Sequence, residues 1–141
     1  MRIFYTDGSC SPNPGPGGYA VVENGKPVAL GSAKESTNIR MEACALIMAM
    51  KLADGEACTI HTDSEFWINV ITKWASGWKA KGWKKSTKGE IQNLDLVQEA
   101  LALYEQGKVT LIWVRAHVGN EQNELADVWA NKARQGARLD A

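Results

Sequence analysis

The chain lacks several features that would assign it to a particular class of protein. It has no apolar run long enough to span a bilayer and no N-terminal signal-peptide pattern. It also has no internal repeat, no low-complexity tract and no interdomain linker. Apolar residues make up 45% of the chain, which excludes a disordered protein and provides for a real core. We therefore expect one soluble, cytoplasmic domain over residues 1–141.

Cysteine is scarce, and its spacing excludes the common cysteine-based sites. The chain has three cysteines, Cys10, Cys44 and Cys58, an odd number without a metal-type spacing. Each lies in an apolar run, so we expect buried free thiols. Free thiols fit a reducing compartment.

The chain has no net charge, with 16 basic and 16 acidic residues, which by itself argues against a nucleic-acid partner. The distribution of charge points the other way, because residues 73–88 contain lysines and no acid. A local patch, and not the total charge, sets the attraction for a polyanion. The six lysines of this stretch are Lys73, Lys79, Lys81, Lys84, Lys85 and Lys88.

The N-terminal part of the chain predicts an antiparallel meander. A β-favouring run ends on Asp7, and a loop rich in proline and glycine follows. Asn24-Gly25 favours a type I′ hairpin turn, because both positions of that turn need positive φ. The predicted strands span about residues 2–9, 19–22 and 27–33, with an irregular loop over 12–18.

In the rest of the chain, strands alternate with helices. The predicted elements are a helix from Thr37 or Asn38 to Asp54-Gly55, a strand over 57–62, a helix capped by Ser64, a short helix and a basic loop within 74–89, a helix from Asn93 to Gly107, a strand over 109–114 and a helix over about 120–135. The order β-β-β-α-β-α-α-α-β-α predicts an α/β fold with a mixed sheet and helices on both faces.

Two helices have apolar positions that we assign to the core. Phe66, Trp67, Val70 and Ile71 form one stripe, and the spacing of Trp74 and Trp78 suits one helix face, with Trp74 in the core. In the last helix we expect Leu125, Val128 and Trp129 to be buried.

Four acids lie at or near the ends of these elements. Asp7 and Asp63 end strands, and sites in α/β sheets collect at strand ends. Each acid taken alone has a simpler explanation, as a helix cap, a helix N-terminal charge or a solvated surface acid. If they share a site, their charges repel one another, and hard cations such as Mg²⁺ relieve that repulsion. Two such ions about 4 Å apart can clamp the attacking and leaving oxygens of a phosphodiester. The four acids are Asp7, Glu42, Asp63 and Asp127.

The two histidines have different surroundings. His117 follows a strand directly and lies in a polar, glycine-containing loop before the helix that carries Asp127. This position favours a functional role as much as a structural one. His61 lies inside an apolar strand, which favours a structural role.

Six short motifs follow one another over nearly the whole chain. They are Thr6-Asp7-Gly8-Ser9, Asn13-Pro14-Gly15-Pro16-Gly17-Gly18, Thr37-Asn38-x-Arg40-Met41-Glu42, Thr62-Asp63-Ser64, His117-x-Gly119 and Asn123-Glu124-x-x-Asp127. In content and order these motifs resemble type 1 ribonuclease H. The segment over about residues 74–92, with its tryptophans and lysines, resembles the basic protrusion of the bacterial members, and that name is kept below.

The resemblance implies an enzyme that hydrolyses the RNA strand of RNA–DNA hybrids and leaves 3′-hydroxyl and 5′-phosphate ends. It implies a ribonuclease H-like fold, with three antiparallel strands followed by two parallel strands. Asp7, Glu42, Asp63 and Asp127 would hold two Mg²⁺ ions, with Mn²⁺ as a substitute. His117 would assist proton movement or product release. We expect a monomer with no membrane partner.

The same resemblance implies the substrate contacts. Glu42 would also contact a ribose 2′-hydroxyl, which distinguishes RNA from DNA. Ile39, Glu65 and Glu35 depart from the family pattern and predict weaker hybrid binding, or compensation from the basic protrusion. The remaining contacts would come from Asn13, Thr37, Asn38, Glu65, Trp78, Lys79, Lys81, Lys84, Lys85 and Asn123.

Three alternatives remain open from the sequence. The chain could be a hybrid-binding module without catalysis, or a nuclease of the same fold that acts on DNA. It could also be a domain cut from a larger reverse transcriptase, although the first strand begins directly after Met1.

Overall fold

The computed structural model describes residues 1–84, 90–115 and 120–139. Within these ranges, five strands form one mixed sheet in the order β3-β2-β1-β4-β5. β1, β2 and β3 are antiparallel, whereas β4 is parallel to both β1 and β5. The predicted sheet is therefore confirmed. The strands are β1 (Arg2–Cys10), β2 (Gly15–Glu23), β3 (Lys26–Ser36), β4 (Cys58–Thr62) and β5 (Val109–Trp113).

The hairpin between β2 and β3 has the predicted turn, since Asn24 and Gly25 have φ values of 53° and 75°. The irregular loop before β2 is shorter than predicted. Gly17 and Gly18 pair with Cys10 and Ser9 as part of the sheet. Glycine is needed at position 18 because a Cβ there would lie 2.6 Å from the Ala130 carbonyl oxygen.

The first helix, α1 (Asn38–Ala53), begins and ends where the sequence predicts. The Thr37 hydroxyl accepts a hydrogen bond from the Arg40 N–H at 3.1 Å, and Asp54 ends the helix in the left-handed region. The helix packs on β1, β2 and β4, and its buried residues form the main core together with Phe4, Ile60 and Trp67.

After β4, three helical segments follow one another: α2 (Glu65–Asn69), a π-helical turn (Val70–Trp74) and α3 (Ala75–Ala80). The Ser64 hydroxyl caps α2 by accepting a hydrogen bond from the Trp67 N–H at 3.2 Å.

The prediction that Trp74 lies in the core is wrong, because its side chain is 44% exposed and Ala75 is buried instead. The π turn adds one residue to the turn and so changes which residues face the core. Of the predicted apolar stripe, Trp67, Val70 and Ile71 are buried, whereas Phe66 is 47% exposed.

The last two helices are α4 (Leu94–Gln106) and α5 (Glu121–Arg134), as predicted to within one residue. Asn93 precedes α4, but its side chain does not cap the helix. The predicted apolar face of α5 is wrong: Val128 is exposed and Leu125 and Trp129 are only half-buried. Small residues face the sheet because the backbone of α5 approaches β2 closely at Gly18. The buried residues of α5 are Asn123, Ala126, Ala130 and Ala133.

The two faces of β1 carry different helices. Gly8 lies against the backbone of α1, whereas Ser9 is hydrogen-bonded to Asn131 of α5. Successive residues of a strand point to opposite faces, so α1 and α5 cover opposite sides of the sheet. The three cysteines are free, with Cys10 and Cys58 buried and Cys44 half-buried. None of the helices in the described ranges is long and apolar enough to cross a membrane.

Candidate active site

Three of the four acids predicted from the sequence meet at one end of the sheet. One carboxylate oxygen from each of Asp7, Glu42 and Asp63 lies within 4.8 Å of the others. Tyr5 is the partner of His61 in the parallel register, so Asp7 and Asp63 extend from neighbouring strands at the same level. The prediction that Asp7 ends a strand is wrong, because β1 continues to Cys10 in its antiparallel pairing with β2. The parallel pairing of β1 with β4 is what brings the Asp7 and Asp63 carboxylates together.

Glu42 reaches this group because α1 lies very close to β1. A Cβ built on Gly8 would come within 2.5 Å of the Met41 carbonyl carbon and still closer to the Glu42 backbone nitrogen. A side chain at position 8 would therefore push the helix away from the sheet. The absence of a side chain directly after Asp7 lets the helix bring in the second carboxylate.

Asp127 approaches Asp7 from α5, on the other side of the sheet from α1. It is close enough for its charge and a side-chain hydrogen bond to raise the pKa of Asp7. The group whose oxygens all lie within 4.8 Å of one another does not include Asp127. The structure thus brings all four acids to one site, with Asp7 next to both Asp63 and Asp127.

The electrostatics of the site favour a bound cation. Burial, with the charges of Asp63 and Asp127, raises the pKa of Asp7 to about 9, against the effect of a hydrogen bond donated by the Gly8 N–H at 2.9 Å. Burial and Asp63 raise the pKa of Glu42 to about 7, and a hydrogen bond from Ser64 opposes this rise. Among the residues that the structure describes, no Lys, Arg or His forms an ion pair with either carboxylate. Such a set of carboxylate oxygens suits hard divalent cations, which prefer oxygen ligands.

Ser64 is a site residue that the sequence analysis assigned only to helix capping. Its side chain is buried and hydrogen-bonds to the Glu42 carboxyl group, besides accepting from the Trp67 N–H. Its own backbone N–H donates to the Thr62 hydroxyl at 3.1 Å. The sequence signal was its place directly after Asp63, but the contact with Glu42 depends on the packing of α1.

Three of the predicted substrate contacts lie together at the N-terminus of α1. The Asn13 Oδ1 accepts a hydrogen bond from the Asn38 N–H at 3.2 Å, which joins the loop after β1 to the helix. Thr37 caps the same helix, and Glu42 lies one turn further along it. Glu65 is exposed at the start of α2, two residues after Asp63.

The described lysines of the basic protrusion have exposed side chains. Lys81 and Lys84 are exposed, and Trp78 is half-buried with its ring 6.5 Å from that of Trp74. Lys79 forms an ion pair with Glu105 of α4 at 3.0 Å. Residues 73–88 have no acid of their own, but the fold brings Glu105 to Lys79 and so partly neutralises that lysine.

The other predicted site residues have different outcomes. Asn123 is only 3% exposed and faces the sheet, and its Oδ1 has no hydrogen-bond partner within the described part of the chain. The substrate contact of Asn123 stays a prediction. His117 and Lys85 lie outside the described residues.

Comparison with known proteins places this arrangement in one family. The RNase H family model matches residues 1–135. The ribonuclease H of Polynucleobacter asymbioticus is 44% identical over 134 residues, which are 92% of this chain and 87% of that protein.

Solved structures agree with this assignment. The crystal structure of LC9-RNase H1, a type 1 RNase H with the type 2 active-site motif, has a TM-score of 0.83 at 30% identity and covers 97% of this chain and 73% of that one. A foamy viral protease-reverse transcriptase in complex with an RNA/DNA hybrid has the same fold, with a TM-score of 0.80 at 16% identity, over 96% of this chain and 20% of that one. The chain therefore belongs to the RNase H family and is an enzyme of the ribonuclease H class.

Proposed function

We propose that this enzyme hydrolyses the RNA strand of RNA–DNA hybrids by a two-metal mechanism, leaving 3′-hydroxyl and 5′-phosphate ends. The observation that carries the proposal is the convergence of Asp7, Glu42 and Asp63 within 4.8 Å, with Asp127 beside Asp7, in a chain of the RNase H family. Asp7 is 7% exposed and adjoins two other acids, so it would be a ligand of the bound ions together with Glu42, Asp63 and Asp127.

The donor set fits Mg²⁺, with Mn²⁺ as a substitute, because it consists of carboxylate oxygens. Bound divalent ions would stabilise the charge on the attacking and leaving oxygens of an in-line displacement. The protein's own residues set the geometry: Gly8 admits α1, and Ser64 orients the Glu42 carboxyl group by its hydrogen bond. His117, between β5 and the helix of Asp127, is proposed to assist proton movement or product release.

The hybrid would lie across the N-terminus of α1 and the basic protrusion. Asn13, Thr37 and Asn38 lie together at this helix end, beside Glu42, which would contact the ribose 2′-hydroxyl. Glu65 lies nearby and would add negative charge close to the substrate. Further along the chain, phosphates would be contacted by Lys79, Lys81, Lys84 and Lys85, together with Trp78.

The metal assignment is tested by Asp63→Asn, which keeps the shape of the side chain and removes its charge. We expect loss of hybrid cleavage in Mg²⁺ and an unchanged circular dichroism spectrum. The matched control is Asp54→Asn, because Asp54 is exposed at the far end of α1 and Asn also tolerates its left-handed conformation. Cleavage by Asp63→Asn at the wild-type rate would overturn the metal site.

The substrate assignment is tested by gel analysis of end-labelled RNA–DNA hybrid, double-stranded RNA and double-stranded DNA, each with Mg²⁺ or with EDTA. We expect cleavage only of the RNA strand of the hybrid, and only with Mg²⁺. Cleavage of double-stranded DNA would instead support a DNA-acting nuclease. Binding of the hybrid without cleavage would support a binding module.

A further inference from the structure

We infer that Asn131 is a positioning residue for Asp127 and that Ser9 and Arg134 hold it in the required orientation. This inference rests on the proposed function, since it concerns a carboxylate of the proposed metal site. Asn131 lies one helical turn after Asp127 on α5. Its Nδ2 donates to the Asp127 backbone oxygen at 3.1 Å and lies 3.5 Å from the Asp127 Oδ1. The amide thus contacts both the backbone and the carboxylate of Asp127.

The orientation of the Asn131 amide follows from its other two partners. Its Oδ1 accepts from the Ser9 hydroxyl at 2.6 Å and from the Arg134 Nη2 at 3.4 Å. A guanidinium group has donors and no acceptor, so the amide atom that faces Arg134 has to be the oxygen. The amide nitrogen must then face Asp127. Arg134 Nε also donates to the Ser9 Oγ at 3.2 Å, which closes a ring of three side chains.

This ring connects the two elements that carry Asp7 and Asp127. Ser9 lies two residues after Asp7 on β1, so the two side chains point to the same face of the sheet. The backbone of Arg134 lies close to the sheet: a Cβ built on Gly18 would be only 2.7 Å from the Arg134 Cα. The network therefore ties β1, which carries Asp7, to the turn of α5 that carries Asp127, and so fixes the position of Asp127 relative to Asp7.

Loss of the amide should act on metal binding more than on hybrid binding, because none of the three side chains contributes a carboxylate to the site. Groups that hydrogen-bond to metal ligands typically change metal affinity by about 10–100-fold when they are removed. We expect Asn131→Leu, which keeps the size of the side chain, to weaken Mg²⁺ binding by about tenfold. The Mg²⁺ concentration needed for half-maximal single-turnover cleavage should rise with it, while the hybrid KM at saturating Mg²⁺ stays near the wild-type value.

The experiment is titration calorimetry of the free protein with Mg²⁺ alone, followed by single-turnover cleavage over a range of Mg²⁺ concentrations. The matched control is Gln122→Leu on the same helix, where the Gln122 Oε1 accepts from the Gly25 N–H at 3.1 Å. This variant also loses one tertiary hydrogen bond of α5 and should leave Mg²⁺ affinity unchanged. Ser9→Ala should weaken Mg²⁺ binding in the same direction, and it should add little to Asn131→Leu because both act through one network.

Wild-type Mg²⁺ affinity in Asn131→Leu would overturn the inference. So would a loss of Mg²⁺ affinity in Gln122→Leu as large as that in Asn131→Leu. If Asn131→Leu does not fold, Ser9→Ala decides by the same calorimetric measurement. Failure of the proposed function has a different signature, namely cleavage by Asp63→Asn. An inactive Asp63→Asn together with a normal Asn131→Leu would reject only the role of Asn131.

Discussion

Gly8 lies directly against the backbone of Glu42, so the residue after one acid of the site sets the position of another. A Cβ on Gly8 would meet the Met41 carbonyl carbon at 2.5 Å and the Met41 Cβ at 2.9 Å. Neither backbone nor Cβ atoms can move away without shifting α1. The strand that carries Asp7 and the helix that carries Glu42 therefore lie too close together at this point for any side chain on residue 8.

We predict that Gly8→Ala lowers both stability and activity. Overpacking of this kind costs about 1–3 kcal/mol of unfolding free energy, and a shifted α1 would separate Glu42 from Asp7 and Asp63. Urea unfolding and hybrid cleavage in Mg²⁺ measure the two effects. The control is Gly77→Ala in α3, where a Cβ has nothing within 4 Å and should stabilise the helix by about 0.5–1 kcal/mol. Full activity in Gly8→Ala would show that α1 can move without cost.

The raised pKa values predict an unusual pH dependence for the metal-free protein. Asp7 binds a proton up to about pH 9 in the folded state, against an ordinary value of 3.8, and Glu42 up to about pH 7, against 4.5. The folded state therefore holds more protons than the unfolded chain at intermediate pH. Its unfolding free energy falls as the pH rises through this window, by up to about 1.4 kcal/mol per pH unit for each group.

Urea unfolding in EDTA at pH 5.5 and at pH 8.5 checks this sign. We expect lower stability at pH 8.5 without metal, and a larger stabilisation by Mg²⁺ at that pH because Mg²⁺ competes with protons for the same oxygens. Asp7→Asn should remove much of the slope, since its amide does not titrate. Stability that rises with pH in the metal-free protein would contradict the prediction.

Arg40 links the N-terminus of α1 to the start of α4, which follows the basic protrusion. Its guanidinium donates to both oxygens of Asp95, at 3.1 and 2.7 Å, and to the Asn93 Oδ1 at 3.2 Å. We predict that Arg40→Ala raises KM for the hybrid severalfold, because α1 and the protrusion lose their connection. The cost in unfolding free energy should be at most about 1 kcal/mol, since the pair is partly exposed.

A matched control for Arg40 exists in the same pair of helices. Lys51 of α1 and Glu99 of α4 form an ion pair at 2.9 Å, nearer the other end of α1. Lys51→Ala should cost similar stability and leave KM unchanged in steady-state cleavage assays. An equal rise of KM in both variants would mean that Arg40 only supports helix packing.

The basic protrusion should contribute binding through its exposed lysines. We predict that Lys81→Ala with Lys84→Ala raises KM and flattens its salt dependence, since each lost phosphate contact reduces the log–log slope by about 0.9. Lys79→Ala should have a smaller effect, because Glu105 already pairs with Lys79. Cleavage assays between low and moderate salt measure both quantities. Lys108, which precedes β5 at the opposite end of the sheet, serves as the control, and an equal effect of Lys108→Ala would argue against a local role for the protrusion.

The structure confirms the predicted features that depend only on the local sequence. The helix caps made by Thr37 and Ser64, and the turn at Asn24-Gly25, depend on side chains and backbone angles within a few residues of one another. The predictions that are wrong concern packing between distant elements. The exposure of Trp74, for example, depends on a π turn. The predicted buried face of α5 is wrong for the same reason. The helix approaches Gly18 so closely that alanines face the sheet in place of Leu125 and Val128.

The sequence by itself determined that Asp63 directly follows a strand and where α1, α4 and α5 begin and end, because each of these features depends on its neighbours in the chain. Only the tertiary structure decided that Asp7, Glu42 and Asp63 meet, that Ser64 contacts Glu42 and that Glu105 neutralises Lys79. These contacts join residues far apart in the chain, and their distances follow from how closely α1, α4 and α5 pack on their neighbours. Such distances depend on the shape of the whole fold, which no local stretch of residues contains.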